Sequence, residues 1–159
     1  MSTVTLQPVD ENLLPGLLEL AVTDTDPYEV VSGASEAPGW TAERRAAFQE
    51  THRPAGGAAY AVLVDGRPVG GARITPAEAP GAFQAYVWLA RSARGKGYST
   101  KAFCLLIDEA RAHGASAIIA ETGISNLPAV CMLRSLGATV WEDPDTGSAH
   151  ATLRVGESD

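Results

Sequence analysis

The chain has 159 residues, 45% of them apolar, with 12 Lys and Arg against 19 Asp and Glu for a formal net charge of -7. That length closes one core, and the composition belongs to a folded globular protein, not a disordered one. No apolar run approaches the roughly 20 residues that cross a bilayer, the start "MSTVTLQPVDENLL" lacks a signal-peptide core, and no basic face with interleaved aromatics is present. A cytoplasmic protein with neither membrane nor nucleic-acid partners is the expectation.

Residues 3–9, TVTLQPV, alternate as an edge strand does and tolerate Pro8 near the end. In DENLLPGLLELAV, the positions Leu13, Leu14, Leu17, Leu18 and Ala21 recur at helical spacing, with Pro15 in the first turn. Residues 23–40, rich in Asp, Gly, Ser and Pro, predict a long loop of the kind that shapes a site. Thr41 is a predicted N-cap for the helix TAERRAAFQETH, with Glu43 in its first turn. His52 ends that helix beside Arg53, where a surface cap interaction is the expectation and a proton relay the alternative.

Past RPAGGA the period becomes two. AYAVLV and VGGARIT flank DGRP, a tight-hairpin signal, and FQAYVWLA follows as the third strand of an antiparallel meander. Helical spacing returns from Gly97, with Ala102, Leu105, Leu106, Glu109 and Ala110 on successive turns and Gly114 as terminator. ASAIIAET predicts a short buried strand, NLPAVCMLRSLGA a helix closing on Gly137, and TVWED with SAHATLRV a final hairpin. Cys104 and Cys131 lie inside the two helices with no second pair and no nearby histidine, so both are expected as small buried apolar residues, without metal or disulfide. The order is β-α-α-β-β-β-α-β-α-β-β, a single domain over residues 1–159.

Charge is spread unevenly. Residues 1–50 hold nine of the 19 carboxylates and only Arg44 and Arg45 among the cations. Such a front third is either a solvated acidic surface or a region that draws a cationic small molecule.

The segment RSARGKGYSTKAF, from Arg91 to Phe103, ends a strand, is rich in Gly and cations, and opens a helix. The backbone N–H groups of Arg94, Gly95, Lys96, Gly97, Tyr98 and Ser99 precede the first helical hydrogen bond, which makes an anion site, and glycine lets phosphate oxygens come close. A Walker A loop is excluded because GKGYSTK lacks its spacing. A dinucleotide fingerprint is excluded because Thr100 stands where the third glycine belongs and a meander precedes the loop.

Ser92-Ala93-Arg94-Gly95-Lys96-Gly97 resembles the Gln/Arg-x-x-Gly-x-Gly/Ala loop of GNAT acyltransferases, with Ser92 departing at the first position. ETGISNLPAVCMLRSLGA resembles the family's second block through Asn126, Ala129, Leu136 and Gly137, with Ala138 in place of Phe. The resemblance covers residues 58 to 155 well and the N-terminal part by topology. It implies an α/β (α+β) GNAT fold, a mixed and largely antiparallel sheet of about seven strands with a central parallel pair, flanked by four helices. It also implies acetyl-CoA as cosubstrate with no metal, a small-molecule amine as acceptor, and a homodimer as in many members.

Acetyl transfer needs the amine as a free base, and for a lysine-like amine of pKa about 10.4 only roughly one molecule in a few thousand is neutral at pH 7. The family's base is often a Glu on the strand before the loop or on the following parallel strand. FQAYVWLA holds no carboxylate, whereas Glu121 resembles the base of ribosomal-protein alanine acetyltransferases and closes an apolar strand where burial would raise its pKa. The alternative is a carboxylate that merely bonds a neighbouring loop. The usual general-acid Tyr is replaced by Leu133, which leaves Tyr28, Tyr86 and Tyr98 as phenols. Tyr86 is the best placed, unless it and Trp88 are simply pocket-wall aromatics. The resemblance further implies that the backbone of Trp88 and Leu89 pairs with the pantetheine amides and that Asn126 contacts the arm, as well as capping its helix. An amine acetyltransferase acting on a small cationic molecule, aminoglycoside-like included, is the first reading. A protein N-terminal acetyltransferase and a non-catalytic acyl-CoA-binding homologue are the others.

Overall fold

The structure is a computed structural model that describes residues 3–25, 39–52, 58–123 and 127–155. In chain order these form β1 (Val4–Pro8), α1 (Leu14–Asp24), α2 (Ala42–Thr51), β2 (Ala58–Val64), β3 (Arg67–Pro76), β4 (Ala82–Leu89), a 3-10 turn (Arg91–Ala93), α3 (Tyr98–Ala112), β5 (Ala117–Gly123), α4 (Leu127–Ser135), β6 (Thr139–Asp143) and β7 (Ser148–Arg154). The predicted element order holds throughout the described residues. One seven-stranded sheet runs β1-β2-β3-β4-β5-β7-β6, antiparallel at every step except β4 to β5.

Local chemistry explains the punctuation. Asp65 and Gly66 both take positive φ, 52° and 84°, which is the backbone that a two-residue hairpin turn needs between β2 and β3. Thr41 caps α2 by accepting a hydrogen bond from the Arg44 N–H at 3.2 Å. Pro15 sits in the first turn of α1, where no intrahelical N–H is lost.

Two cores lie on the two faces of the sheet. On one face, Ala102, Phe103, Leu106, Ile107 and Ala110 of α3 pack with Leu133 of α4 against Ile74, Ala85, Leu89 and Ile118. On the other, Leu14, Leu17 and Ala21 of α1 and Phe48 of α2 cover Ala61, Leu63 and Trp88. The α3 stripe is shifted from the helical set read in the sequence: Ala102, Leu106 and Ala110 are buried, but Phe103 and Ile107 complete the buried face, and Leu105 and Glu109 at its edge are only partly covered. That shift also corrects the expectation for Cys104, which is exposed. Cys131 is exposed as well, one position beyond the buried Val130 on α4.

Candidate active site

The site begins where two parallel strands part. β4 and β5 pair over three rungs, from Ala82–Ala117 to Gln84–Ile119. Beyond that, β4 stays with β3 as far as Leu89 and β5 stays with β7 as far as Gly123, so the sheet opens between them. Tyr86 and Glu121 each stand two residues past the last shared rung. Side chains alternate along a strand, so both point to the face covered by α1 and α2, one on each lip of the opening.

The backbone direction along β4 follows from one bond. The Ala90 N–H donates to the Val69 carbonyl at 2.8 Å, so alternate residues, Trp88 and Tyr86, direct their backbone groups toward β3, while Val87 and Leu89 face the opening. A Cβ on Gly70 would collide with the Trp88 carbonyl oxygen, in keeping with that direction. The Trp88 backbone, expected to pair with a ligand arm, is thus turned to β3, whereas Leu89 faces the opening as expected and Val87 joins it. The Leu89 carbonyl already accepts hydrogen bonds from Arg94 Nε at 3.1 Å and Nη2 at 2.9 Å.

The glycine loop follows directly. Arg94 departs from expectation because its N–H donates to the Arg91 carbonyl at 3.2 Å, closing the 3-10 turn, while its side chain folds back on β4. The cradle thus starts one residue later. Gly95 and Gly97 have φ of 77° and 81°, values that favour glycine, and an added Cβ on either would meet nothing within 4 Å. Gly97 caps α3 with no side-chain bond to the helix end, and among the described residues no backbone hydrogen bond engages the N–H of Gly95, Lys96 or Ser99. These donors and the α3 dipole meet beside the open space at Gly95 and Gly97.

Ser92, which replaces the family's Gln or Arg, has a different partner. Its N–H and Oγ donate to Asp24 Oδ2 at 3.1 and 2.5 Å, tying the end of α1 to the loop. Those two hydrogen bonds, the side-chain one foremost, hold the Asp24 carboxyl below the usual carboxylate range. Beside the loop, a cavity of about 570 Å³ reaches from Ser92, Lys96 and Tyr98 to Arg67 in the β2–β3 hairpin, away from the opening that holds Tyr86 and Glu121.

On the lip, Glu121 is exposed, which corrects the burial expected of it. The strand is apolar up to Ala120, but the parting of β4 and β5 opens its end to solvent. Its Oε2 lies 3.7 Å from Nδ1 of His150, the facing residue on β7, and Trp141 of β6 stacks on His150 with ring centres 4.3 Å apart. On the other lip, the Arg73 guanidinium carbon lies 4.4 Å above the Tyr86 ring centre. Arg73, His150 and Trp141 escaped the sequence reading, because strand register alone brings them to this row. His52 also differs from expectation: it is buried, with Nδ1 2.8 Å from the Phe48 carbonyl and Nε2 accepting from Trp88 Nε1 at 3.2 Å. Both nitrogens are committed, so it relays no proton. Leu133 is buried in the α3-side core. Asn126 and Tyr28 lie outside the described residues.

A coenzyme A thioester needs an anion cradle at a helix end and a gap between strands whose backbone faces an extended arm. The open-faced glycines at 95 and 97 and the unpaired stretch of β4 satisfy both. Among the described residues, no three metal-ligating side chains converge, and no helix is long and apolar enough to cross a membrane.

No curated protein sequence matches the chain. Solved structures do. A putative acetyltransferase from Salmonella typhimurium, yncA with its cofactor acetyl-CoA, is 21% identical with a TM-score of 0.73, covering 99% of this chain and 96% of its own. RimL, a ribosomal-protein alpha-N-acetyltransferase in complex with coenzyme A, is 17% identical with a TM-score of 0.74, over 96% and 94%. A ribosomal-protein-alanine N-acetyltransferase from Brucella melitensis is 22% identical with a TM-score of 0.69, over 94% and 99%. These likenesses carry the fold, and the family assignment rests on the sequence. Residues 20–138 match the acetyltransferase (GNAT) family, and with the split sheet and glycine cradle in place the chain belongs to that family of acetyl-CoA-dependent N-acetyltransferases.

Proposed function

We propose that the acceptor is the primary amine of a small molecule whose reacting group arrives as an ammonium ion. The observation that carries this reading is the placement of Glu121 and Tyr86 on opposite lips of the opening, on the face that α1 and α2 of the acidic front third cover. When bound, acetyl-CoA supplies an activated thioester carbonyl. The N–H groups of Gly95, Lys96, Gly97 and Ser99 hold its pyrophosphate, and the backbone of Val87 and Leu89 aligns its arm. Glu121 takes the proton from the amine, directly or through one water. Tyr86, across the opening, donates a proton to the departing sulfur, a modest task because a thiol of pKa near 8.5 leaves readily. His150 stands behind Glu121 and fixes the side from which the carboxylate reaches the opening.

Thiol release from acetyl-CoA, measured over amino acids, polyamines, aminoglycosides and peptides, tests the reaction and ranks the acceptors. Glu121→Gln should keep acetyl-CoA affinity and lower kcat by about 10² to 10⁴, with part of the rate recovered at alkaline pH, where solvent deprotonates the amine. A pH-rate profile parallel to the parent's, with kcat within about fivefold, would reject Glu121 as base, since positioning alone is expected to raise KM.

A further inference from the structure

Arg73 poses a problem that folding alone does not solve. It faces the α1 and α2 side of β3, on the same rung as Tyr86, and its Nη1 is buried with no hydrogen-bond partner. Guanidinium groups withdrawn from water are ordinarily forked onto a carboxylate or onto carbonyl oxygens, because an unpaired buried charge is costly. Neither is present: no carboxylate among the described residues forms an ion pair with Arg73 or accepts from it. Tyr86 presents its ring face to the guanidinium, which suits a cation and leaves Nη1 without a hydrogen bond. His52 is near enough that the Arg73 charge helps to keep its ring neutral, and its ring nitrogens are already engaged with Phe48 and Trp88.

The position gives the unfilled fork a meaning. Arg73 is one strand back from the Tyr86 lip, roughly 5 Å by the ordinary strand spacing. An acceptor whose amine lies at the opening near Glu121 and whose body rests against Tyr86 brings its next substituent to the guanidinium. The planar fork fits a carboxylate in bidentate fashion. The phosphates of the donor are accounted for by the glycine loop, at the far end of β4.

We infer that Arg73 anchors a carboxylate carried by the acceptor, so that the substrates are amino acids and amino-acid-like amines. This rests on the reading of the lips above and narrows it: a zwitterion, with its ammonium toward Glu121 and its carboxylate on Arg73, replaces the polycation. The acidic α1–α2 side then discriminates against molecules that carry the anion alone.

Matched acceptors decide the matter on the full chain. Thiol release is measured with the standard amino acids, their carboxamides, and the amines that lack the carboxyl group, with spermidine and a short peptide as further arms. The best acceptor should be an amino acid, and its carboxamide should fall about tenfold to a hundredfold in kcat/KM, mainly through KM, as expected for a lost charge-assisted pair. Arg73→Met should remove most of that preference, raising KM for the amino acid about tenfold more than for the carboxamide, and Arg73→Lys should restore part of it. Because an uncompensated charge is removed, Arg73→Met should melt no lower than the parent. Carboxamides or spermidine acetylated as well as amino acids would overturn the anchor. So would an equal loss for every acceptor, or a clear fall in melting temperature, either of which assigns Arg73 to the chemistry or to the fold. If no amine releases thiol although acetyl-CoA binds, the acetyl-transfer reading fails instead. Calorimetry of amino acids against carboxamides on the coenzyme A complex then still decides the anchor.

Discussion

His52 shows how a single side chain can be neutral by construction. It stacks on Phe48 with ring centres 4.0 Å apart, and its two nitrogens are used in one tautomer, Nδ1–H toward the Phe48 carbonyl and Nε2 toward the Trp88 indole. Burial is the largest effect and takes its pKa down to about 4 against the opposing pull of the Phe48 carbonyl, and the charge of Arg73 adds a smaller push in the same direction as burial. The unfolded value is 6.5, so between those limits the unfolded chain binds a proton that the native state refuses. The stability from this site is complete above pH 6.5 and is lost as pH falls toward 4, by about 3 kcal/mol at most. Urea midpoints of the parent should therefore drop more steeply over that range than those of His52→Gln, which has no ionising ring. Parallel pH profiles would show that the site does not control acid sensitivity. Nothing near His52 in sequence announced this. The Trp that reads its Nε2 is 36 residues away, and Gly71 makes room between them, since a Cβ there would press on the Trp88 indole and on His52.

At the level of elements, periodicity and punctuation were enough to place the strands and helices, because Gly66, Gly114 and Gly137 turn the chain where their positive φ permits and the hydrophobic period changes between them. The glycine loop was legible for the same reason. What was not legible depends on register and on long side chains. The direction of the β4 backbone turns on the Ala90 to Val69 bond, which turns the Trp88 backbone to β3 and the Val87 backbone to the opening. Arg94 spends its donors on Leu89, and Ser92 finds Asp24 across 68 residues of sequence. The loop itself makes a sharp test. Gly95→Asp and Gly97→Asp should each abolish acetyl-CoA binding, because both put negative charge into the cradle. Gly95→Ala separates backbone strain from charge: it bears the cost of a left-handed φ, about 1 kcal/mol, but its Cβ meets nothing within 4 Å, so affinity should fall only several-fold. Calorimetry that finds either Asp variant within twofold of the parent would reject this loop as the pyrophosphate site.

Across the whole molecule, the uneven charge of the sequence acquires a direction only once the sheet is built. α1 and α2 belong to the acidic front third, and they cover the face from which Tyr86 and Glu121 are reached, whereas the cationic loop lies at the end of β4. On the proposed reading the two ligands meet fields of opposite sign: Arg91, Lys96 and the α3 terminus on the donor side, and carboxylates such as Glu19, Glu43 and Glu50, which are exposed, on the side of the acceptor ammonium. Exposed charges act through solvent and are screened over about 8 Å at 0.15 M salt, so their effect appears in the salt dependence of association more than in bound geometry. For spermidine as a probe, kcat/KM should fall steeply as ionic strength rises. For an amino acid, whose charges cancel at a distance, it should change little even if the amino acid is the better acceptor, because Arg73 acts at contact where screening is weak. A bland acidic surface with no bearing on the acceptor predicts one common slope for the cationic, zwitterionic and uncharged probes. Stopped-flow or initial-rate measurements that return such a common slope would detach the front third from acceptor capture, leaving selection to Glu121, Tyr86 and Arg73 at contact range.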